Sequence, residues 1–167
     1  MKMTKRIGKV HKTCALIGGG IGLLMAVSVA AVVGSPLPVI RLLEADALLP
    51  PLWLMGLLWL MGYVLLGMAA GWAWGTRSPV PHGEISLWRG LTLLVVEVAF
   101  SFAWYRLSFG SLLLLPAGLC LVIGVATGVA CTASWCQAYR SSAILCGGVT
   151  LCLFCLLLCH LVVILHN

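Results

Sequence analysis

The sequence predicts an all-α integral membrane protein, a single domain over residues 1–167 built as a bundle of five transmembrane helices. Three observations carry that expectation. Hydrophobic residues make up 62% of the chain and charged residues 8%, with a mean hydropathy of +1.15. A soluble domain is roughly 45–50% apolar and about 25% charged. The apolar residues are gathered into five continuous runs, each near or above the roughly 20 residues a helix needs to cross a hydrocarbon core about 30 Å thick. Backbone groups in lipid must be satisfied internally, which leaves helices or a closed barrel. A barrel strand would alternate in segments of about 10 residues, and these runs do not alternate.

The first span is read as 14–34, behind the basic segment Lys2-Met-Thr-Lys-Arg-Ile-Gly-Lys-Val-His-Lys12. Its apolar run is longer than the roughly 7–15 residues of a cleaved leader, and no clear Ala-x-Ala site follows, so it is expected to be retained. The second span, 52–74, starts after Pro50-Pro51. The third, 88–107, is the weakest, because it carries Glu97 and is closely flanked by Arg89 and Arg106; both arginines can extend their heads towards water. The fourth, 112–135, has Pro116 near its start, where a missing N–H costs little. The fifth is 143–165. The longest connections are Ser35–Leu49 and Gly75–Leu87, rich in Pro, Gly or charge. No soluble domain, low-complexity tail or second repeat unit is evident.

Loop lysines and arginines set orientation. With a cytoplasmic N-terminus, the inner set is Lys2, Lys5, Arg6, Lys9, Lys12, Arg77, Arg89 and Arg140, and the outer set is Arg41 and Arg106. The expected placement is multi-pass, N-terminus inside and C-terminus outside, in a bacterial-type plasma membrane. The formal net charge of +6 then reflects topology and attraction to anionic lipid, and no nucleic-acid partner is needed to explain it.

The eight cysteines (Cys14, Cys120, Cys131, Cys136, Cys146, Cys152, Cys155 and Cys159) fall in or at the ends of apolar helices, where a free thiol acts as a small hydrophobe. Cys152, Cys155, Cys159 and His160 share helical spacing, but a structural zinc site draws ligands from more than one segment, so no metal is expected. Gly18-Gly19-Gly20-x-Gly22 has neither a preceding strand nor a following Lys-Ser/Thr, so it is not a phosphate loop. Gly67-x3-Gly71-x3-Gly75 and Gly124-x3-Gly128 are small-residue ridges for close helix contact, and suggest a homodimer.

Glu97 is the one acid inside a predicted span. A central acid is costly in a bilayer and faces a cavity or a partner. On a helix, Glu97, Ser101 and Trp104 share one face. Two readings stand side by side: a polar spot in a ligand cavity, or an uncharged carboxyl hydrogen-bonded to a neighbouring helix. His160 reads as an interfacial or helix-bridging residue. Of the seven tryptophans, Trp53, Trp72, Trp74, Trp88 and Trp135 lie near span ends, as an interfacial belt requires. Trp59 and Trp104 are deeper, and Trp59 pairs with Tyr63 at i, i+4. Flat aromatic surfaces suit either a flat apolar ligand or plain helix packing.

The run Pro50-Pro-Leu-Trp-Leu-Met-Gly-Leu-Leu-Trp59-Leu-Met-Gly-Tyr63-Val-Leu-Leu-Gly-Met-Ala-Ala-Gly-Trp72 resembles the second helix of the TspO/MBR family, the tryptophan-rich sensory or translocator proteins, also called peripheral-type benzodiazepine receptors. Glu97-Val-Ala-Phe-Ser101-Phe-Ala-Trp104-Tyr-Arg-Leu-Ser-Phe109-Gly110 is similar to that family's Gln/Asn…Asn-x-x-Trp-x-x-x-Phe-Phe-Gly segment. Tyr139-Arg-Ser-Ser-Ala143 resembles its junction before the fifth helix, and His160 through Asn167 its final turn. The sequence departs from the pattern in four places. Ser101 stands where the family has Asn, and Glu97 where it has Gln. Gly148-Val149-Thr150-Leu151-Cys152 replaces Pro-Tyr-x-x-Trp. Val39 and Leu48 stand where the loop before Pro50 carries Trp.

The resemblance implies binding of porphyrins or related flat apolar ligands in a cavity closed by the loop between helices one and two, with a sensory, regulatory or transport role. It assigns Trp59, Tyr63 and Trp104 to the pocket and makes Glu97 and Ser101 its polar spots. It implies a homodimer, no resident cofactor beyond such a ligand, and no catalytic residues. A small transporter or a porphyrin-degrading enzyme are the alternatives. Inverted repeats with broken helices would favour the transporter, and a nucleophile–base pair the enzyme; neither is visible.

Overall fold

The computed structural model describes residues 2–33, 52–76 and 82–166. These form five helices: α1 Lys2–Val33, α2 Leu52–Thr76, α3 Gly83–Gly110, α4 Leu114–Trp135 and α5 Arg140–His166. All five contain a stretch long and apolar enough to cross a membrane, and no strand occurs among the described residues. Arg41, Arg77, Val39 and Leu48 lie outside the described residues, as does the side chain of Trp53.

The first helix starts at Lys2, well before residue 14, and the third span differs from its expected bounds at both ends. Its run is a 28-residue helix that starts at Gly83 rather than Trp88, so half of the expected Gly75–Leu87 connection is helical. Local chemistry accounts for the early start. Glu84 sits in the first turn, where the helix dipole favours a carboxylate. The Ser86 N–H donates to the His82 carbonyl at 3.0 Å, and the Ser86 hydroxyl donates to the Ser134 carbonyl of α4. His82 turns the chain with a φ of 63°. At the other end, Leu112 takes a φ of 54°, and the Leu113 N–H closes α3 on the Leu107 carbonyl at 3.0 Å. Pro116 falls in the first turn of α4, where its missing donor has no intrahelical partner to lose.

The helices are ordered α1–α2–α5–α4–α3 around the bundle, with α3 returning to touch α2 and α1 lightly. The α1–α2 contact is the most extensive. It is made by glycine: a methyl on Gly18, Gly22, Gly67 or Gly71 would strike the backbone of the partner helix. The Gly67/Gly71 ridge and the glycine run of α1 are thus two halves of one seam inside the protomer. Gly128 likewise faces inward, against Thr150 and Glu97, and Gly124 is buried. Any contact between copies must therefore use another surface.

The core divides along the membrane normal. One half gathers Leu66, Ala69 and Ala73 of α2, Leu87 and Leu94 of α3, Cys131 and Trp135 of α4, and the start of α5. The other centres on Trp104, Ala117, Leu121 and Leu157. The expected tryptophan belt holds in part. Trp74 and Trp88 are 46% and 54% exposed and meet edge to face at 5.7 Å. Trp135 does not belong to it. It is fully buried, with its indole lying where a side chain on Gly90 would stand.

Candidate ligand-binding site

The buried face of α3 carries Glu97, Ser101, Trp104 and Ser108, spaced as one helical stripe. Trp104 packs on Ala117 and Leu121 of α4 and Leu157 of α5. Its ring meets Phe109 at 5.7 Å and His160 at 6.4 Å, both edge to face. Tyr105, one position on, points towards α2 and stacks on Trp59 at 5.1 Å with 26° between the planes. Trp59 in turn meets Tyr63 at 4.8 Å, and Tyr105 meets Phe109 at 5.1 Å. Six rings from α2, α3 and α5 thus form a continuous aromatic wall at the end of the bundle where α2 and α4 begin. His160 ties that end together: its Nε2 lies 2.9 Å from the Leu114 carbonyl. A carbonyl only accepts, so Nε2 carries the proton. His160 is the helix-bridging residue expected from its position.

Four polar atoms in this region are buried without a protein partner: Trp59 Nε1, Tyr63 Oη, Trp104 Nε1 and Ser108 Oγ. An unmet buried donor costs about 1–3 kcal/mol, and buried polar groups in folded proteins are otherwise paired. The indole nitrogens can only donate; the two hydroxyls can donate or accept. The wall therefore offers flat apolar faces edged with donors.

Glu97 stands apart from the rings. It is fully buried, and the Cys146 thiol donates to its Oε2 at 3.8 Å. Its Oε1 has no partner and lies over Gly128 beside Thr150. Seven residues separate it from Trp104, roughly 10 Å along a helix axis, with Ser101, also buried, between them. Of the five residues singled out in the sequence, the ring contacts join Trp59, Tyr63 and, through Tyr105, Trp104. Glu97 sits instead in a polar notch between α3, α4 and α5. Tyr105, Phe109, Ser108 and His160 were not singled out for the site. The Trp104-Tyr105 pair followed by Phe109 four residues later was the available signal. Among the described residues no group of three or more His, Cys, Asp or Glu side chains is placed to hold a metal ion.

Residues 14–163, from the middle of α1 almost to the end of α5, match the TspO/MBR family. The chain belongs to the TspO/MBR family. No curated protein and no solved structure matches it. Of the two residues that stand for aromatics in the Pro-Tyr-x-x-Trp comparison, Val149 is buried in the core and Cys152 is exposed on the outer face of the bundle. The α5 residues packed against the aromatic cluster are Leu153, Leu156, Leu157 and His160. The side of the site towards α5 is thus aliphatic, with one imidazole.

Proposed function

We propose that this TspO/MBR protein binds a porphyrin-type tetrapyrrole, or another flat apolar molecule with acceptor groups at its edge, against the aromatic wall of α2 and α3, and that it acts as a sensor, regulator or carrier rather than as an enzyme. The observation that carries the reading is the coincidence of stacked rings with unpartnered donors. Trp59, Tyr63 and Trp104 present both a face and a free polar edge. A tetrapyrrole supplies the complement, a flat macrocycle with peripheral carboxylates. Ser101 and Glu97 continue the same α3 stripe and supply polar contacts at its deeper end. A sterol is less suited, since it has no flat conjugated face and one hydroxyl against several donors.

The reading extends to placement. The lysine and arginine asymmetry supports a cytoplasmic N-terminus in a bacterial-type plasma membrane; in that orientation the aromatic end of the bundle lies towards the outer leaflet. It also includes a homodimer, formed on lipid-facing surfaces because the Gly67/Gly71 seam and Gly128 are already used within the protomer.

Tryptophan-fluorescence quenching by protoporphyrin, with a sterol as control, tests the ligand. Burying one aromatic face at Trp59 is worth about 1–3 kcal/mol, so Trp59→Ala should weaken protoporphyrin binding roughly 5- to 150-fold. Equal, weak quenching in wild type and Trp59→Ala would overturn the assignment.

A further inference from the structure

Cys131 and Cys146 are two fully buried thiols that the ligand site does not use. In the antiparallel register of α4 and α5, Gly118 faces His160, Gly128 faces Thr150 and Thr132 faces Gly147. Cys131 falls opposite Cys146 in that same register. At this level Gly128 makes room for the Thr150 side chain and Gly147 for that of Thr132, so the two helices interlock. Helix axes about 8–10 Å apart, with Cα atoms on a radius of about 2.3 Å, bring facing Cα atoms to within roughly 6 Å. A disulfide needs a Cα separation of about 4.4–6.8 Å. The Cys146 thiol reaches the backbone of α4 itself, 3.9 Å from the Gly128 carbonyl, one turn before Cys131. Each is also held from outside the pair: the Cys131 thiol donates to the Gly90 carbonyl at 3.2 Å, and Cys146 contacts Glu97 Oε2. The same register also sets Cys120 opposite Cys159, but both are partly exposed, and Cys136, Cys152 and Cys155 are exposed outright; Cys131 and Cys146 are the facing pair among the described residues that is fully buried on both sides.

We propose that Cys131 and Cys146 form a dithiol that a small, uncharged hydroperoxide oxidises to an interhelical disulfide, cross-linking α4 to α5. Both thiols are 0% exposed, so bulky or charged oxidants are excluded and a compact neutral one is selected. The sulfur of Cys146 attacks one peroxide oxygen. The O–O bond breaks, the thiol proton leaves with the departing oxygen as water or an alcohol, and Cys146 becomes a sulfenic acid. The sulfur of Cys131 then displaces the hydroxyl, which leaves as water with the Cys131 proton. Two thiols lose two electrons, and the peroxide is reduced by two. The new bond draws both sulfurs off their present partners, the Gly90 carbonyl and the Glu97 carboxyl. The disulfide thereby joins the helices that flank Glu97, and a thiol reductant reverses it.

The test uses the full chain in detergent. Accessible cysteines are first blocked with a maleimide, then hydrogen peroxide is added. The protein is denatured, its remaining thiols are labelled with a second reagent, and peptides are identified by mass spectrometry. The expected result is a linked peptide pair containing Cys131 and Cys146, which a reductant separates. Neither residue should take up the second label after peroxide, and both should take it up without peroxide. Cys131→Ser should leave Cys146 as a sulfenic acid that dimedone traps, with no linked peptide. Two results would overturn the proposal: full second labelling of both residues after peroxide, or linkage of either one to a different cysteine. The wild-type measurement stands on its own if the serine variant does not fold.

Discussion

Adding one methyl group at Gly67 should weaken the protein more than its size suggests. The Cβ of Gly67→Ala would overlap the carbonyl oxygen and carbon of Gly18 and come within 3.2 Å of the Gly22 nitrogen. These are backbone atoms of a helix, so no side chain can rotate away and α1 must move off α2. A shift of roughly 0.5–1 Å already forfeits a quarter to a half of each dispersion contact, worth about 0.1–0.2 kcal/mol apiece. Over some 30 atom pairs, a rough figure for one such seam, that is about 1–3 kcal/mol. Residual overpacking adds a cost of similar size, and better helix propensity returns at most about 1 kcal/mol. The net loss is about 1–5 kcal/mol, which for a chain of this length lowers Tm by roughly 2–20 °C. Gly20→Ala is the control: a methyl there meets nothing within 4 Å, so its Tm should stay or rise slightly. Thermal unfolding of both variants in one detergent decides the matter. Equal melting temperatures would refute the close-packed α1–α2 seam.

Further outcomes follow from the other buried contacts. Gly90→Ala should lower Tm by a similar amount, because its methyl would occupy the place of the fully buried Trp135 indole; an unchanged melt would show that Trp135 has room to move. Glu97→Gln should keep the protein folded, since the amide preserves the shape of the carboxyl and no ion pair reaches Glu97 among the described residues; unfolding of this variant would mean that the carboxyl is indispensable to the α3–α4–α5 contact. Gly128→Ala, by contrast, should cost about 1–3 kcal/mol, because its methyl would meet Glu97 Oε1 and the Thr150 side chain. A reporter active only in the cytoplasm, fused to the C-terminus, should be silent, and strong activity would reverse the proposed orientation.

Most of the fold was legible in the sequence, and the physical reason is the solvent. A bilayer demands long apolar helices, so five runs could be read as five helices before any packing was known. What could not be read was which face meets which helix. Small-residue spacing announced close contact at Gly67 and Gly71, but spacing alone does not say whether the partner is α1 or a second copy. Trp135 has the position of an interfacial residue, and only the gap above Gly90, a feature of another helix, draws it inside. Helix starts depend on single side-chain contacts such as that of Ser86 with Ser134, which leave no periodic trace. The site was legible in pieces. Trp59, Tyr63 and Trp104 stood out by type and spacing. Tyr105 and Phe109 were hidden because Tyr105 is off the buried stripe of α3 and finds its role only through Trp59, on a helix that α3 barely touches.

That thin α2–α3 contact bears on where a ligand can enter. The tight seams of this bundle, α1–α2, α3–α4 and α4–α5, are formed by helix pairs adjacent in sequence, and glycine makes the first of them a backbone-to-backbone contact. Between α2 and α3 no such seam exists; ring contacts span the interval, the Trp59–Tyr105 stack at one end and the Trp74–Trp88 pair at the other. A contact made by two side-chain rings can open by rotation about χ angles. A glycine seam can open only by moving whole helices. A flat molecule slipping between the rings of Trp59 and Tyr105 would exchange one stacking contact for two, and would bring its edge within reach of the unpartnered Trp59 and Tyr63 donors. A thin inter-helix contact and a cluster of unmet polar groups thus coincide, and for the proposed ligand the α2–α3 interval is the expected entry.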